Sequence, residues 1–451
     1  MTETQHDDAR VDPSLDYAFP RGFLWGAGTN GVQNEGAPLA DGGGPSIWHP
    51  WSRTPGNVTT GETAEDGPDF YRHYRDDLRL MRGLGLGSHN FGISWARVMP
   101  EGTGTVNQAG LDFYDRLVDE TLAGGMSPIC GMYTWDHPQA LQDRGGWLNR
   151  DMAHWFAEYA TVLHDRLGDR VTHWLPMCEI VSFTQYAYFF GYYPPMRADV
   201  SQGLIAIHHQ LLGQGQAVQA MRGRGQIGNW HLLIPTAPKS PKERDVAAAA
   251  RLDAFSNGIV LDPQLLGHYP EVLIDWYGEA WPHASIRDGD METISAPIDF
   301  IGVDYYGSSR AAHSAKPGEL ALKVADTFDE NDPGGLHTAL VGLRDTYGNK
   351  PVYLAEIGTA RDDRLTDGEV HDHDRIKYLR DHLIAAHRAI EDGIDLRGAF
   401  VWGLLDGWEF YDGLSLRYGL VHVDHQTKRR TIKASGHWYQ TVATANGLPS
   451  A

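Results

Sequence analysis

The sequence predicts an α/β fold, a single (β/α)8 TIM barrel with extended βα loops. Three observations point there. Eight short apolar runs recur along the chain, and longer helical patterns fall between them. The runs are nearly continuous in their apolar character, which suits parallel strands covered on both faces. The 451 residues, 41% of them hydrophobic, are enough for one large core. A doubly wound sheet is the competing architecture.

The first run covers residues 23–26. A helix is predicted over 69–83, where Phe70, Tyr74, Leu78 and Met81 make one stripe at helical spacing. Gly83, Gly85 and Gly87 then read as a helix end leading into the second strand, 89–95. Helix 111–122 and strand 128–133 follow, then helix 151–167 and strand 173–178. Helix 204–221 precedes strand 226–233; strands 300–305 and 352–355, helix 375–390 and strand 398–404 complete the series. Two stretches break the rhythm: an aromatic loop, 184–195, and a Gly-, Pro-, Asp- and Lys-containing segment, 307–335. Both follow strands, so a barrel places them on the C-terminal face, where sites are built. The domain reading is a polar extension at 1–17, the barrel at 18–446 and a tail at 447–451.

Composition narrows the function. With 38 basic and 59 acidic side chains the formal charge is −21, which argues against gripping nucleic acid or anionic lipid through the overall field. Cys130 and Cys178 cannot form a disulfide framework, and no C-x-x-C pair exists. No run of eighteen apolar residues occurs, and residues 1–17 lack the basic-then-apolar order of a signal peptide. The expectations are therefore a cytoplasmic protein with no membrane and no nucleic-acid partner. Fourteen Trp and twenty Tyr supply flat apolar faces of the kind that stack on sugars.

The strand ends carry the chemistry. Glu179 closes the fourth strand and Glu356 the seventh, and a carboxylate at the end of an apolar run costs burial energy unless it is paired or functional. Strands four and seven lie across a barrel mouth from each other. Two carboxyls about 5 Å apart are the machinery of a retaining glycosidase. Their repulsion, about 3 kcal/mol at an effective dielectric of about 20, lets one keep its proton while the other ionises. The bland alternative is a pair of ordinary strand-end acids in surface loops.

Longer motifs decide between these. Phe19-Pro-Arg-Gly-Phe-Leu-Trp-Gly26 with Gln33-Asn-Glu-Gly36, Phe91-Gly-Ile-Ser-Trp-Ala-Arg97, and Asn107-Gln-Ala-Gly-Leu-Asp-Phe-Tyr114 stand in order. After them come the run from Trp135-Asp-His-Pro to Asn149-Arg-Asp151, Trp402-Gly-Leu-Leu-Asp-Gly-Trp-Glu409 and Arg417-Tyr-Gly-Leu420. Over nearly its whole length the chain resembles the family-one glycoside hydrolases, the β-glucosidase family. The resemblance implies that Glu356 is the nucleophile and Glu179 the general acid and base. It implies that Gln33 and Glu409 bind sugar hydroxyls, that Trp402 lies beneath the ring, that Tyr306 holds the nucleophile by a hydrogen bond, and that Trp135 lies near this wall or in the core.

The sequence also departs from the family pattern. Cys178 stands where an Asn contacting the 2-hydroxyl is usual, followed by Ile180 in place of Pro. Thr134 replaces a His that contacts the 3-hydroxyl, Asn90 an Arg beside the nucleophile, Asp304 an Asn on the sixth strand, and Phe410 a Trp. A thiol is a poor substitute for a side-chain amide. Losing the Arg and gaining Asp304 should raise the pKa of Glu356. The expectation is a retaining β-glycosidase with weak activity on ordinary glucosides, acting on a small-molecule glycoside whose sugar is deoxygenated or modified at position two or three, such as a natural-product glycoside. Two alternatives remain open: transglycosylation or acid–base chemistry on a non-sugar substrate in the same pocket, and a carbohydrate-binding pseudoenzyme.

Other signals are discounted. Gly83-Leu-Gly-Leu-Gly87 lacks the third glycine of a dinucleotide fingerprint, and Gly42-Gly-Gly44 lacks a following Lys-Ser or Lys-Thr. His371-Asp-His-Asp374 sits at a helix start, where acidic side chains suit the dipole. Cys178 has no base beside it in sequence. No cofactor and no metal are expected.

Overall fold

The computed structural model describes residues 15–449, and the eight expected strands form its centre. They are β1 (Leu24–Thr29), β2 (Ser88–Gly92), β3 (Ser127–Tyr133), β4 (His173–Met177), β5 (Gln226–Leu232), β6 (Phe300–Tyr305), β7 (Val352–Ile357) and β8 (Leu396–Val401). Neighbours in the chain pair in parallel, and β8 returns to β1 with Gly398 opposite Leu24, which closes the barrel. A doubly wound sheet would leave two open edges. The (β/α)8 expectation holds.

Helices pack on the outside: α1 (Phe70–Gly83), α2 (Gln108–Ala123), α3 (Asp151–Leu167), α4 (Val200–Met221), α5 (Glu243–Asp253), α6 (Pro333–Tyr347), α7 (His373–Glu391) and α8 (Ala434–Ala445). The stripe Phe70, Tyr74, Leu78 and Met81 is buried, as its spacing requires. Among the described residues no helix is long and apolar enough to cross a membrane.

Several boundaries differ from the sequence reading, each for a local reason. Helix α4 begins at Val200, four residues before the expected start, because Asp199 caps it by accepting from the Gln202 N–H at 2.9 Å. Apolar periodicity is silent about such a polar first turn. The second strand stops at Gly92; Trp95–Val98 turns helical and carries Arg97 inward to Glu35 Oε2 at 2.8 Å. The aromatic stretch 184–195 is not all loop, since Ile180–Thr184 and Gln185–Phe189 are helical turns that bury Tyr188 and Phe189. Segment 307–335 holds a hairpin, Ser308–His313 against Val324–Asp329, before α6 begins at Pro333. Leu15–Ala18 pairs antiparallel with Gly447–Pro449, so residues on both sides of the sequence-drawn boundaries share one small sheet. Residues 1–14 and 450–451 of the expected extension and tail lie outside the described range.

Inside the barrel, Ile129, Leu175, Cys178, Trp230, Phe300, Tyr353, Ala355 and Phe400 form a compact apolar cluster. Glycines on the strands admit its rings. A Cβ at Gly131 would stand 2.4 Å from the Trp230 ring, so no larger residue leaves that indole in place. This cluster fills the barrel below the C-terminal mouth, and the polar strand ends sit on top of it.

Candidate active site

A cavity of about 280 Å3 opens at the C-terminal mouth. Of the residues singled out from sequence, Gln33, Thr134, Trp135, Cys178, Glu179 and Tyr306 line it, as do Glu356, Trp402, Glu409 and Phe410. They come from the ends of β1, β3, β4, β6, β7 and β8 and the loops that follow. Backbone pairing sets the acid on β4: the Cys178 N–H donates to the Tyr133 carbonyl at 3.0 Å and the Glu179 N–H to the Trp230 carbonyl at 2.9 Å. Glu179 itself is left-handed, with φ 42°, and Trp135 and Phe410 share that region with φ 70° and 48°. A non-glycine residue there is strained by roughly 1–3 kcal/mol. Three such residues on one cavity wall mark a functional site, and no sequence pattern announces them.

Tyr306 donates from its hydroxyl to Glu356 Oε2 at 2.7 Å. Gln33 Nε2 donates to Glu409 Oε2 at 2.6 Å, and Asn30, which carried no role in the sequence reading, bonds the Gln33 side chain and its backbone N–H. Trp402 stands over Gly28, where a Cβ would meet its ring at 2.8 Å. Trp135 both lines the cavity and donates to the Cys178 carbonyl at 3.0 Å, so the two roles expected for it coincide. Phe410 packs among Trp48, Trp135 and Tyr193 with ring centres 4.4, 5.1 and 5.6 Å away. Ser182, Asp412 and Tyr418 also line the cavity; each is a single side chain outside the strand-end pattern and leaves little signal in a single sequence.

Two expected residues stand behind the wall. Asn90 is buried on β2 and donates from Nδ2 to the Ala355 carbonyl at 3.2 Å, next to Glu356 in the chain and without bonding its carboxylate. Asp304, which the sequence placed with the substrate-binding candidates, is fully buried, is not among the residues lining the cavity, and accepts from Trp230 Nε1 at 2.8 Å.

Charge is unbalanced here. Glu179, Glu356, Glu409 and Asp412 line the cavity, and no Lys, Arg or His is among its lining residues. Burial pushes the carboxyl of Glu356 well above the usual range, the charge of Glu179 pushes further, and the Tyr306 hydrogen bond opposes both. The rise expected at Glu356 is present; burial leads it, and the charges of Glu179 and Glu409 add to it. Burial also raises Glu179, against hydrogen bonds from Ser182 and Asp304. Glu409 is pushed up by burial to about 8, with Gln33 opposing. Burial raises the Cys178 thiol, and the neighbouring acids add to it, so Cys178 is a neutral thiol and a poor nucleophile. Among the described residues, Cys178, Asp304 and Glu356 are the group able to ligate a metal ion, with one donor atom of each within 4.8 Å of the others.

The chain matches the glycosyl hydrolase family 1 model over residues 15–448. The chain belongs to glycosyl hydrolase family 1. It is 40% identical to β-glucosidase A of Thermotoga maritima over 447 residues, covering 95% of this chain and 98% of the relative. It is 42% identical to thermostable β-glucosidase B of Thermobispora bispora over 453 residues, covering 98% and 93%. A solved family 1 β-glucosidase from Thermotoga maritima superposes with a TM-score of 0.93 at 39% identity, covering 96% of this chain and 99% of that one. The same enzyme in complex with deoxynojirimycin gives 0.92. This family 1 protein is thus a retaining glycoside hydrolase of the β-glucosidase type.

Proposed function

We propose that this hydrolase cleaves a β-glycoside by double displacement, with Glu356 as nucleophile and Glu179 as acid and base. Glu179 protonates the leaving oxygen while Glu356 attacks the anomeric carbon; water, deprotonated by Glu179, then releases the sugar from Glu356. The observation that carries this reading is the meeting of two buried glutamates from β4 and β7 in one cavity, with Tyr306 hydrogen-bonded to one of them. Gln33 and Glu409 offer paired donors and acceptors to sugar hydroxyls, and Trp402 a flat apolar face.

The preferred sugar is deoxygenated or modified beside the anomeric centre. Cys178 and Thr134 support this: a neutral thiol and a small hydroxyl replace the stronger hydrogen-bonding groups that the family resemblance leads one to expect at those positions. Contacts at the 2-position strengthen in the transition state and are worth several kcal/mol, so their loss penalises a plain glucoside most. Tyr186 and Tyr193, with ring centres 4.9 Å apart, line the outer cavity and suit a hydrophobic aglycone. Similarity to β-glucosidases, some solved with sugar-like inhibitors bound, supports a small-molecule glycoside as the ligand.

A panel of aryl glucosides and 2- and 3-deoxyglycosides, run with the Glu356→Ala protein as the control, tests the proposal. Faster turnover of a deoxyglycoside is expected; a plain glucoside cleaved at the highest rate contradicts it. Running the reaction in oxygen-18 water separates hydrolysis, which labels the anomeric position, from transfer to another acceptor.

A further inference from the structure

We propose that Cys178, Asp304 and Glu356 form a binding site for a zinc-class divalent cation, and that the bound ion shuts the cavity against the glycoside. Backbone register brings the three together. Glu356 on β7 stands opposite Asp304 on β6, and Cys178, just past β4, stands opposite Trp230, whose indole reaches Asp304. One donor atom from each of the three lies within 4.8 Å of the other two. All are buried, Cys178 and Glu356 at 7% exposed and Asp304 at 0%. Asp304 supplies the second observation: its Oδ1 accepts from Trp230 Nε1 at 2.8 Å, whereas its Oδ2 accepts no hydrogen bond. A buried carboxylate oxygen without a donor is costly, and a cation among the three side chains would satisfy it. Tyr306 takes Oε2 of Glu356 and leaves Oε1 for a ligand bond.

The donor set selects the ion. A thiolate with two carboxylates suits zinc, whereas magnesium and calcium take oxygen ligands, in larger number. Zinc bonds of about 2.3 Å to sulfur and about 2.0–2.2 Å to oxygen place tetrahedral ligand atoms about 3.5 Å apart, so shifts of about 1 Å close the trio on the ion. The surroundings favour a cation too: Glu179, Glu356, Glu409 and Asp412 line the cavity, with no Lys, Arg or His among its lining residues. As the sulfur–metal bond forms, the thiol proton of Cys178 passes to solvent. Cys178 and Glu356 line the cavity, so the fourth coordination position opens toward it, as in zinc sites with three protein ligands.

Cation binding stands apart from the reaction proposed above, whereas its effect on turnover rests on Glu356 as nucleophile. A carboxylate oxygen committed to zinc cannot attack the anomeric carbon, so ion and glycoside exclude each other. Sequence spacing gives no hint of the site, because its ligands come from three strands far apart in the chain.

The test is cobalt binding to the metal-free full-length protein, followed by absorption, beside zinc inhibition of aryl glycoside hydrolysis. One cobalt per chain is expected to give a thiolate-to-cobalt charge-transfer band in the near ultraviolet, which Cys178→Ala abolishes. Exposed His371 and His373 can hold cobalt as well, but a histidine site gives no thiolate band. Asp304→Asn keeps the shape and an acceptor for Trp230. It is expected to weaken cobalt binding at least about tenfold and to raise the half-inhibiting zinc concentration by a similar factor. Zinc inhibition is expected to be competitive with the glycoside and reversed by EDTA, with magnesium and calcium inert at the same concentration. No thiolate band, a band that survives Cys178→Ala, or binding unchanged by Asp304→Asn overturns the proposal. So does equal binding of magnesium, the mark of an unselective acidic pocket, and so does full activity at saturating zinc. Failure of the Glu356 reading shows separately: Glu356→Ala would then still hydrolyse the glycoside while wild type keeps its thiolate band.

Discussion

At Glu356 two opposing effects set the pH at which the enzyme works. Burial and the charge of Glu179 favour the protonated acid, whereas the Tyr306 hydroxyl, 2.7 Å away, favours the carboxylate. Attack requires the carboxylate, so activity is lost as pH falls through the raised value, at a higher pH than for an ordinary Glu. Tyr306→Phe removes a hydrogen bond to a charged group, worth about 1.5–3 kcal/mol. It is expected to lower kcat/KM about 10- to 100-fold and to move the acid limb upward, read from a pH series. Glu179→Gln is expected to lower kcat/KM about 10²–10⁴-fold with a poor leaving group and far less with an acidic phenol, which departs without a proton. Glu179 and Glu356 stood out as candidates in the sequence because an acid ending an apolar run is conspicuous. The position of Asp304 under the wall was not legible there, since it depends on a Trp230 indole that fits only because Gly131 lies beside it.

The element that carries Glu409 and Phe410 is the long connection after β8, and it is held by buried charges. Lys433, at the start of α8, reaches Asp406 Oδ1 at 2.6 Å and also pairs with Asp363, and Arg417 Nη1 reaches Asp406 Oδ2 at 2.7 Å. Burial opposes ionisation of Asp406, but Lys433 and Arg417 outweigh it and hold its carboxyl below the usual range. Such a group stabilises the fold above the unfolded Asp pKa and loses that contribution as pH falls through its lowered value. Lys433→Met removes the buried cation shared by two carboxylates, leaving Asp406 to Arg417 and Asp363 to Arg375, and is expected to cost about 3–5 kcal/mol, measured by denaturant unfolding, with a smaller difference from wild type in acid. Sequence periodicity could locate α1 from one stripe of four side chains. It could not find the left-handed turns at Trp135, Glu179 and Phe410, because nothing in those residue types favours that conformation and only tertiary contacts impose it.

For the whole molecule, the closed barrel trades stability for a site full of acids. Glu179, Asp304, Glu356 and Glu409 are all raised by burial. Between the pKa of an unfolded carboxyl and the raised folded value, the folded chain binds the extra protons, so stability falls as pH rises. Buried His137, His209, His231 and His425, whose burial lowers them to about 4, work the other way below the ordinary His range, so the melting temperature is expected to decline from about pH 7 to about pH 8, the value to which Glu409 is pushed. Glu409→Gln is expected to melt higher than wild type at the upper end and to bind its sugar more weakly. The barrel was readable from eight apolar runs in order. Its closure, which brings β4 and β7 to one cavity, is what turned two separate strand-end acids into a candidate pair.

The most direct test uses the Glu179→Ala protein with an aryl glycoside of an acidic phenol. The first step then proceeds without a proton donor while the second lacks its base, so the glycosyl–enzyme should accumulate. Mass spectrometry of the quenched, digested protein is expected to find one glycosyl group esterified to the peptide that contains Glu356. No adduct, or an adduct on another residue such as Cys178, contradicts the account.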